Sequence, residues 1–251
     1  MSAPSTVVIG MGPGLGQALV KKFAREGHRV AFVGRNADAT ARYEQALRAD
    51  GLDVAGFAGD AGRPEQMEKV HAAIRERHGA PEALIYNAAI IEPSRFVTPS
   101  RMDEVKYGTA DGWKSHGEPA SVDYVVDAFR TNVAGALHAA QAVAPAMIDR
   151  GRGTILLTGG VLAFGPWIEW GVTSLGKAAL RSLGLSLEKE LSASGIHVST
   201  VAIHGTMQAG TPYDHDLVAE AYWRLHVQPR EQWQPDFHFR QDGADGGDPD
   251  A

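Results

Sequence analysis

The stretch Gly10-Met11-Gly12-Pro13-Gly14-Leu15-Gly16 follows the apolar run Val7-Val8-Ile9 and opens the helix-like segment Gln17-Ala18-Leu19-Val20-Lys21-Lys22-Phe23. Four glycines in seven positions are more than an ordinary turn needs. They let the backbone turn tightly and approach a ligand closely. A helix starting directly afterwards offers free N–H groups and partial positive charge to an anion. Strand, glycine turn and helix in that order form the layout that holds a dinucleotide pyrophosphate. The plainer reading is a glycine-rich strand-to-helix turn with no ligand.

The rest of the chain repeats this alternation. Apolar runs predict strands at Thr6–Ile9, Arg29–Val33, Val54–Ala58, Ala83–Tyr86, Thr154–Leu157 and His197–Ile203, with Pro235–Phe239 as an edge strand. Helical periodicity and end signals predict helices at Leu15–Arg25, Asp38–Ala49, Pro64–His78, Val122–Arg150, Gly171–Ser194 and Asp216–Arg224. The expected fold is α/β: a Rossmann-like, doubly wound parallel sheet with helices on both faces, in a single domain over residues 1–240. In the long helix, Phe129, Val133, Leu137, Ala140 and Ala144 are expected to share one face. Residues 93–121 break the rhythm. Rich in Pro, Gly, Ser and charge, they are expected to form an irregular insertion, either a lid or a disordered loop. The acidic, glycine-rich residues 241–251 are expected to be disordered.

Composition narrows the classes. With 251 residues, 44% of them hydrophobic, the chain has material for one full core. A net charge of −6 and the lack of a basic run speak against nucleic-acid binding. There is no cysteine, so disulfides, thiol nucleophiles and thiolate metal sites are excluded, and no metal site is expected. No apolar run approaches the roughly 20 residues that span a bilayer. The first residues lack the basic-then-apolar order of a signal peptide. A cytoplasmic protein is expected.

Two positions bear on the ligand. The second strand runs into Arg35, whose guanidinium suits a 2′-phosphate, where an acidic residue would suit the ribose 2′-hydroxyl of NAD. That favours NADP(H) over NAD(H); the alternative is a solvated arginine. Asp60, after the third strand, either accepts a hydrogen bond from adenine or caps the helix signalled by Pro64-Glu65.

Together these pieces resemble the short-chain dehydrogenase/reductase family, over roughly residues 6–239. The family's Gly-x-x-x-Gly-x-Gly matches Gly10, Gly14 and Gly16. Its aspartate after the third strand matches Asp60, and its Asn-Asn-Ala-Gly matches Tyr86-Asn87-Ala88-Ala89 imperfectly. Its helical asparagine matches Asn132 in Thr131-Asn132-Val133-Ala134-Gly135, and its Pro-Gly matches His204-Gly205. Ala221-Tyr222-Trp223-Arg224-Leu225-His226 resembles a bacterial branch of the family. The resemblance implies cofactor contacts at Gly10, Gly12, Pro13, Gly14, Leu15, Gly16, Arg35, Asp60, Ala61, Asn87, Ala88, Lys177, Gly205 and Thr206. It implies catalytic roles around Lys177, Asn132 and Thr173, and a homodimer or homotetramer paired through the helices that carry Asn132 and Lys177.

The departures fall on the chemistry. The family's Ser–Tyr–Lys set places a tyrosine four residues before the lysine and a serine thirteen residues before the tyrosine. Here Lys177 is present, but those positions are Thr173 and Gly160, and no tyrosine lies between Tyr124 and Tyr213. A threonine hydroxyl ionises far less readily than a phenol with its reference pKa near ~10. Loss of a positioned general acid costs about 10²–10⁴ in rate, or roughly 3–5 kcal/mol of barrier. Candidate replacements are Lys177, His204 and, from the insertion, Lys106, Tyr107 and His116. Each also has a purely structural reading. Phe164, Trp167, Ile168 and Trp170 are expected either to border a roomy, apolar substrate cleft or to serve as core or subunit contacts. The sequence points to an atypical NADP(H)-dependent oxidoreductase acting on a small, apolar or aromatic carbonyl, enone or quinone. The alternatives are a redox-silent ligand-binding protein and a cyclase or isomerase on the same fold.

Overall fold

A computed structural model describes residues 3–100, 102, 104, 105, 113, 114 and 117–240. In the first half, β1 (Ser5–Ile9), β2 (Arg29–Gly34), β3 (Val54–Ala58) and β4 (Ala83–Tyr86) alternate with α1 (Leu15–Arg25), α2 (Ala37–Ala49) and α3 (Pro64–His78). Two short strands follow, β5 (Glu104–Val105) and β6 (Trp113–Lys114), paired antiparallel. Then come α4 (Val122–Phe129), a π-helical turn (Arg130–Ala134), α5 (Gly135–Arg150), β7 (Gly153–Thr158), α6 (Gly171–Leu191), β8 (Ile196–Ile203), α7 (His215–His226) and β9 (Asp236–Phe239).

The main sheet has the order β3-β2-β1-β4-β7-β8-β9, and all its pairings are parallel. Alternate residues of each strand face opposite layers. Val7, Ile9, Leu84, Tyr86, Ile155 and Leu157 pack with Met67, Val70 and Ile74 of α3, Ala136 and Val143 of α5, and Leu180 and Leu187 of α6. Val8, Phe32, Ile85, Leu156 and Val201 pack on the other face with Leu19 and Phe23 of α1, Leu47 of α2 and Tyr222 of α7. Burial on both faces is why these strands read as unbroken apolar runs. Strand order reverses between β1 and β4, and a crevice opens there beyond the carboxyl ends of the strands, the usual place for a ligand in such a sheet.

Two expectations are corrected. The helix expected over Val122–Arg150 is interrupted by the π turn, which adds a residue to one turn and rotates α5 relative to α4. The buried face of α5 is therefore Ala136, Ala139, Ala140, Val143 and Met147, while Phe129 and Leu137, expected to share a face with Val133 and Ala140, are exposed and those two are buried. The stretch 93–121, expected to be irregular, contains β5 and β6, each too short to show an alternating pattern. Lys106, Tyr107, His116 and residues 241–251 lie outside the described residues.

Candidate active site

Gly10 turns the chain out of β1 at φ +105°, a left-handed conformation that glycine adopts without strain. A Cβ built there would lie 2.3 Å from the Ala88 nitrogen, so the loop meets the end of β4 backbone to backbone. Asn87 fastens the contact by donating from Nδ2 to the Gly10 carbonyl at 2.9 Å. Gly16 is equally tight, its Cβ position 2.5 Å from the Gly10 carbonyl oxygen. Gly12 is the opposite case: nothing lies within 4 Å of its Cβ position. Pro13 and Gly14 lead into Leu15 at the start of α1, where no side chain caps the helix and the first turn holds no acidic residue. An uncapped, eleven-residue helix thus begins at the crevice.

Beside this turn lies a cavity of about 140 Å³, lined in part by Gly10, Met11, Gly34, Arg35, Asn87 and Ala88. Arg35 is exposed, and Asn36 next to it caps α2 by accepting from the Ala39 N–H at 2.8 Å. Gly59 and Ala61 line the same cavity. Between them, Asp60 accepts from the Gly62 N–H at 2.9 Å. That bond serves the turn before α3, whose own N-cap is Arg63. A second hollow, of about 290 Å³, lies away from Lys177 between the start of α3 and the π turn, at Arg63, Glu65 and Arg130.

At the other end of the crevice, Asn132 is buried in the π turn. Its Oδ1 accepts from the Ile90 N–H at 2.6 Å, and its Nδ2 donates to the Ile90 carbonyl at 3.1 Å. The side chain therefore grips the segment after β4 rather than its own helix. Gly176 lets α6 come close, because a Cβ there would lie 2.9 Å from Asn132 Nδ2. One residue on, Lys177 is buried and donates to the Thr158 carbonyl at 2.7 Å. Burial disfavours its charge and brings its pKa down to about 8. Thr173, one turn earlier on α6, is also buried. Gly160 is extended, and the nearest atoms to its Cβ position are Lys177 Cε and the Ile203 oxygen, both at 4.0 Å, so a gap adjoins the lysine.

Sequence reasoning missed three partnerships here. Tyr222 of α7 donates to Thr158 Oγ1 at 2.8 Å, so one threonine anchors both Tyr222 and Lys177. In the sequence Tyr222 stands out only as part of the stretch Ala221–His226. His204 meets His238 of β9, with Nε2 and Nδ1 2.9 Å apart. Burial is the main cause of the fall in the His204 pKa to about 4, with Arg240 and His238 adding to it. The segment after β4 also docks on the start of α6: Ser94 bridges Trp170, and Arg95 binds the buried carboxylate of Glu169, which also accepts from Ser100 Oγ at 2.7 Å. No sequence signal links residues 74 positions apart. Trp170 is buried beneath this strap, whereas Phe164 and Ile168 are exposed. After β8, Gly205 is held by packing, its Cβ position only 2.3 Å from the Tyr213 ring, and Thr206 is exposed. Among the described residues, no group of three or more His, Asp or Glu side chains is placed to hold a metal ion. None of the described helices is long and apolar enough to cross a membrane.

Residues 5–216 match the family model described as short chain dehydrogenase. The rabbit (Oryctolagus cuniculus) protein named dehydrogenase/reductase SDR family member 4 is 29% identical over 189 residues. That alignment covers 75% of this chain and 65% of the rabbit protein, so the match spans just under two thirds of this relative. A short-chain dehydrogenase from Rhodopseudomonas palustris has a similar fold, with a TM-score of 0.76 and 22% identity over 96% of this chain and 100% of that one. A metagenomic short-chain oxidoreductase solved in complex with NADP gives 0.77 and 20%, covering 94% and 97%.

Proposed function

The chain belongs to the short chain dehydrogenase family, and on that premise we propose that it is an atypical NADP(H)-dependent oxidoreductase acting on a small carbonyl, enone or quinone. The observation that carries the reading is the contrast between the two ends of one crevice. At one end a glycine turn and an uncapped helix start border a cavity; at the other, Lys177 and Asn132 stand beside positions that offer no phenol.

The cradle fits a dinucleotide on its own geometry. Gly12 faces open space where a Cβ would intrude, the α1 N-terminus is uncapped, and a cavity adjoins it. Gly10, Gly12, Pro13, Gly14, Leu15 and Gly16 would hold the pyrophosphate. Arg35 would hold the 2′-phosphate, as a guanidinium suits it. Asp60 keeps one oxygen for the adenine side, with Ala61, Asn87 and Ala88 alongside. Lys177 would hold the nicotinamide ribose, and Gly205 and Thr206 the nicotinamide end. When bound, the cofactor supplies or accepts a hydride. The chain's own contribution is to position the substrate: Asn132 fixes the wall at Ile90, and the Gly160 gap leaves room for a flat group beside Lys177. Acceptors whose reduced anion is stable by itself, such as quinones and enones, suit a site without a strong acid. The exposed apolar stripe Val122, Val126, Phe129 and Leu137, with Leu175 on α6, supports assembly as a homodimer or homotetramer. Cytoplasmic residence is proposed from the reading as a whole.

Titration with NADPH and NADH, followed by tryptophan fluorescence, tests the cofactor. NADPH is expected to bind more tightly, and Arg35→Ala to weaken it tenfold or more while leaving NADH within twofold. An unchanged preference would remove the phosphate role of Arg35. Stopped-flow oxidation of bound NADPH by ketones, enones and quinones tests the reaction. Binding without oxidation by any acceptor would favour a redox-silent protein.

A further inference from the structure

Beside the Gly160 gap the chain carries a pair of histidines that leads to solvent. The gap is bounded by Lys177 Cε and the Ile203 oxygen, and Ile203 is followed directly by His204 at the carboxyl end of β8. His204 is 9% exposed. Its Nε2 lies 2.9 Å from Nδ1 of His238, whose side chain is 32% exposed. His238 Nε2 in turn lies 3.7 Å from Asp236 Oδ2. Asp236 is held by Arg181 at 2.6 Å and by Thr200 Oγ1 at 2.7 Å. Phe164 covers both imidazoles, with centroid distances of 5.9 and 4.7 Å, and Arg181 lies over the same ring at 4.7 Å. A buried imidazole is thus paired with a more exposed one that lies beside a carboxylate, with an aromatic ring packed on both.

We propose that His204 and His238 form a proton wire from solvent to the carbonyl oxygen of the substrate, taking the part that neither Thr173 nor Gly160 can play. The wire rests on the oxidoreductase reading above. Carbonyl reduction by a reduced nicotinamide puts a hydride on carbon and moves the C=O π pair to oxygen, which then needs one proton. His204 Nδ1–H gives it, and His204 Nε2 receives the proton of His238 Nδ1–H. His238 passes its Nδ1 proton to His204 while its own Nε2, on the exposed side, takes one from solvent, and both rings then turn over to reset the pair. The groups around His204 agree. Burial, Arg240 and His238 disfavour charge on it and together outweigh Asp236, so the ring passes a proton without holding an extra one.

The test combines nitrogen-15 NMR of the histidine rings, with and without NADP⁺, and pH–rate profiles of NADPH oxidation, for the wild type, His238→Gln and His204→Gln. The NMR is expected to show His204 and His238 as a hydrogen-bonded pair whose tautomers change together, with the His204 signals moving in His238→Gln. Both variants should slow ketone reduction tenfold or more and quinone reduction less, and change the shape of the pH–rate profile, while NADPH affinity stays within twofold. Independent titration of the two rings, with rate and profile unchanged in both variants, would overturn the wire and leave the oxidoreductase reading standing. NADPH binding with no oxidation by any acceptor would overturn that reading and the wire with it.

Discussion

Lys177 shows at single-residue scale what burying a charge does to stability. Its ammonium is buried with the Thr158 carbonyl as partner, and its pKa falls from 10.5 to about 8. Below pH 8 the lysine is charged in both the folded and the unfolded chain, so the fold bears the full desolvation cost. As pH rises from about 8 to 10.5 the folded form releases its proton first, and stability increases through that window. Replacing the charge with an apolar group of similar length removes the cost at neutral pH, an effect on the order of 3 kcal/mol. Lys177→Met is therefore expected to melt several degrees higher than the wild type at pH 7 and to show a flatter melting profile between pH 8 and 10. It should also lose NADPH-dependent activity. A lower melting temperature at pH 7 would show that the lysine's hydrogen bond outweighs its burial.

At the scale of elements, the proposed cofactor role of the glycine turn predicts that folding and binding separate there. Gly10 has a positive φ and a Cβ position against backbone that cannot move aside. Gly10→Ala should cost about 3 kcal/mol or more, from strain and clash together. Gly12 stands in open space at an ordinary φ, so Gly12→Ala should change stability by no more than about 0.5 kcal/mol. Its methyl would nevertheless occupy the cradle, and NADPH affinity should fall at least tenfold. Thermal melts and fluorescence titrations of the two variants check this; equal effects on melting would refute the division. The same turn was legible in the sequence because its chemistry is local. So were the strands, as apolar runs, and helix ends such as Gly27 and Gly195, both at positive φ. The face of α5 was not, since one extra residue in the π turn rotates everything after it and turns Phe129 and Leu137 outwards. Arg95–Glu169 and His204–His238 were invisible for another reason: each pair meets only after the sheet has assembled, and neither spacing carries a helical or strand period.

For the whole molecule, two surfaces make predictions. If the stripe Val122–Val126–Phe129–Leu137 is a subunit contact, the wild type is a dimer or larger in light scattering, and the double substitution Phe129→Glu, Leu137→Glu is a folded monomer. A monomeric wild type would end that proposal. The edge of the sheet opposite the crevice concerns acid. At the amino ends of the strands, His28 bonds Thr6 Oγ1 at 2.8 Å, His226 bonds Thr154 Oγ1 at 3.0 Å, and His197 stacks on Trp233. On the other layer, His71 of α3 faces His138 of α5. Burial lowers the pKa of His28, His197, His71 and His226, the last two to about 4; mutual repulsion with His28 and His197 adds to the fall at His226, and Arg75 adds to it at His71. An unfolded histidine titrates near ~6.5, so the unfolded chain takes up these protons first. The stability contributed by the neutral rings is complete above about pH 6.5 and drains away as pH falls towards 4. His71 and His226 each forfeit on the order of 3 kcal/mol across that interval. The melting temperature should therefore be level from pH 7 to 8 and drop steeply between pH 6 and 4.5. His226→Gln, which keeps a polar partner for Thr154 but cannot be protonated, should make that drop shallower. A wild-type profile that stays flat to pH 4.5 would mean that these histidines are protonated in the fold at no cost.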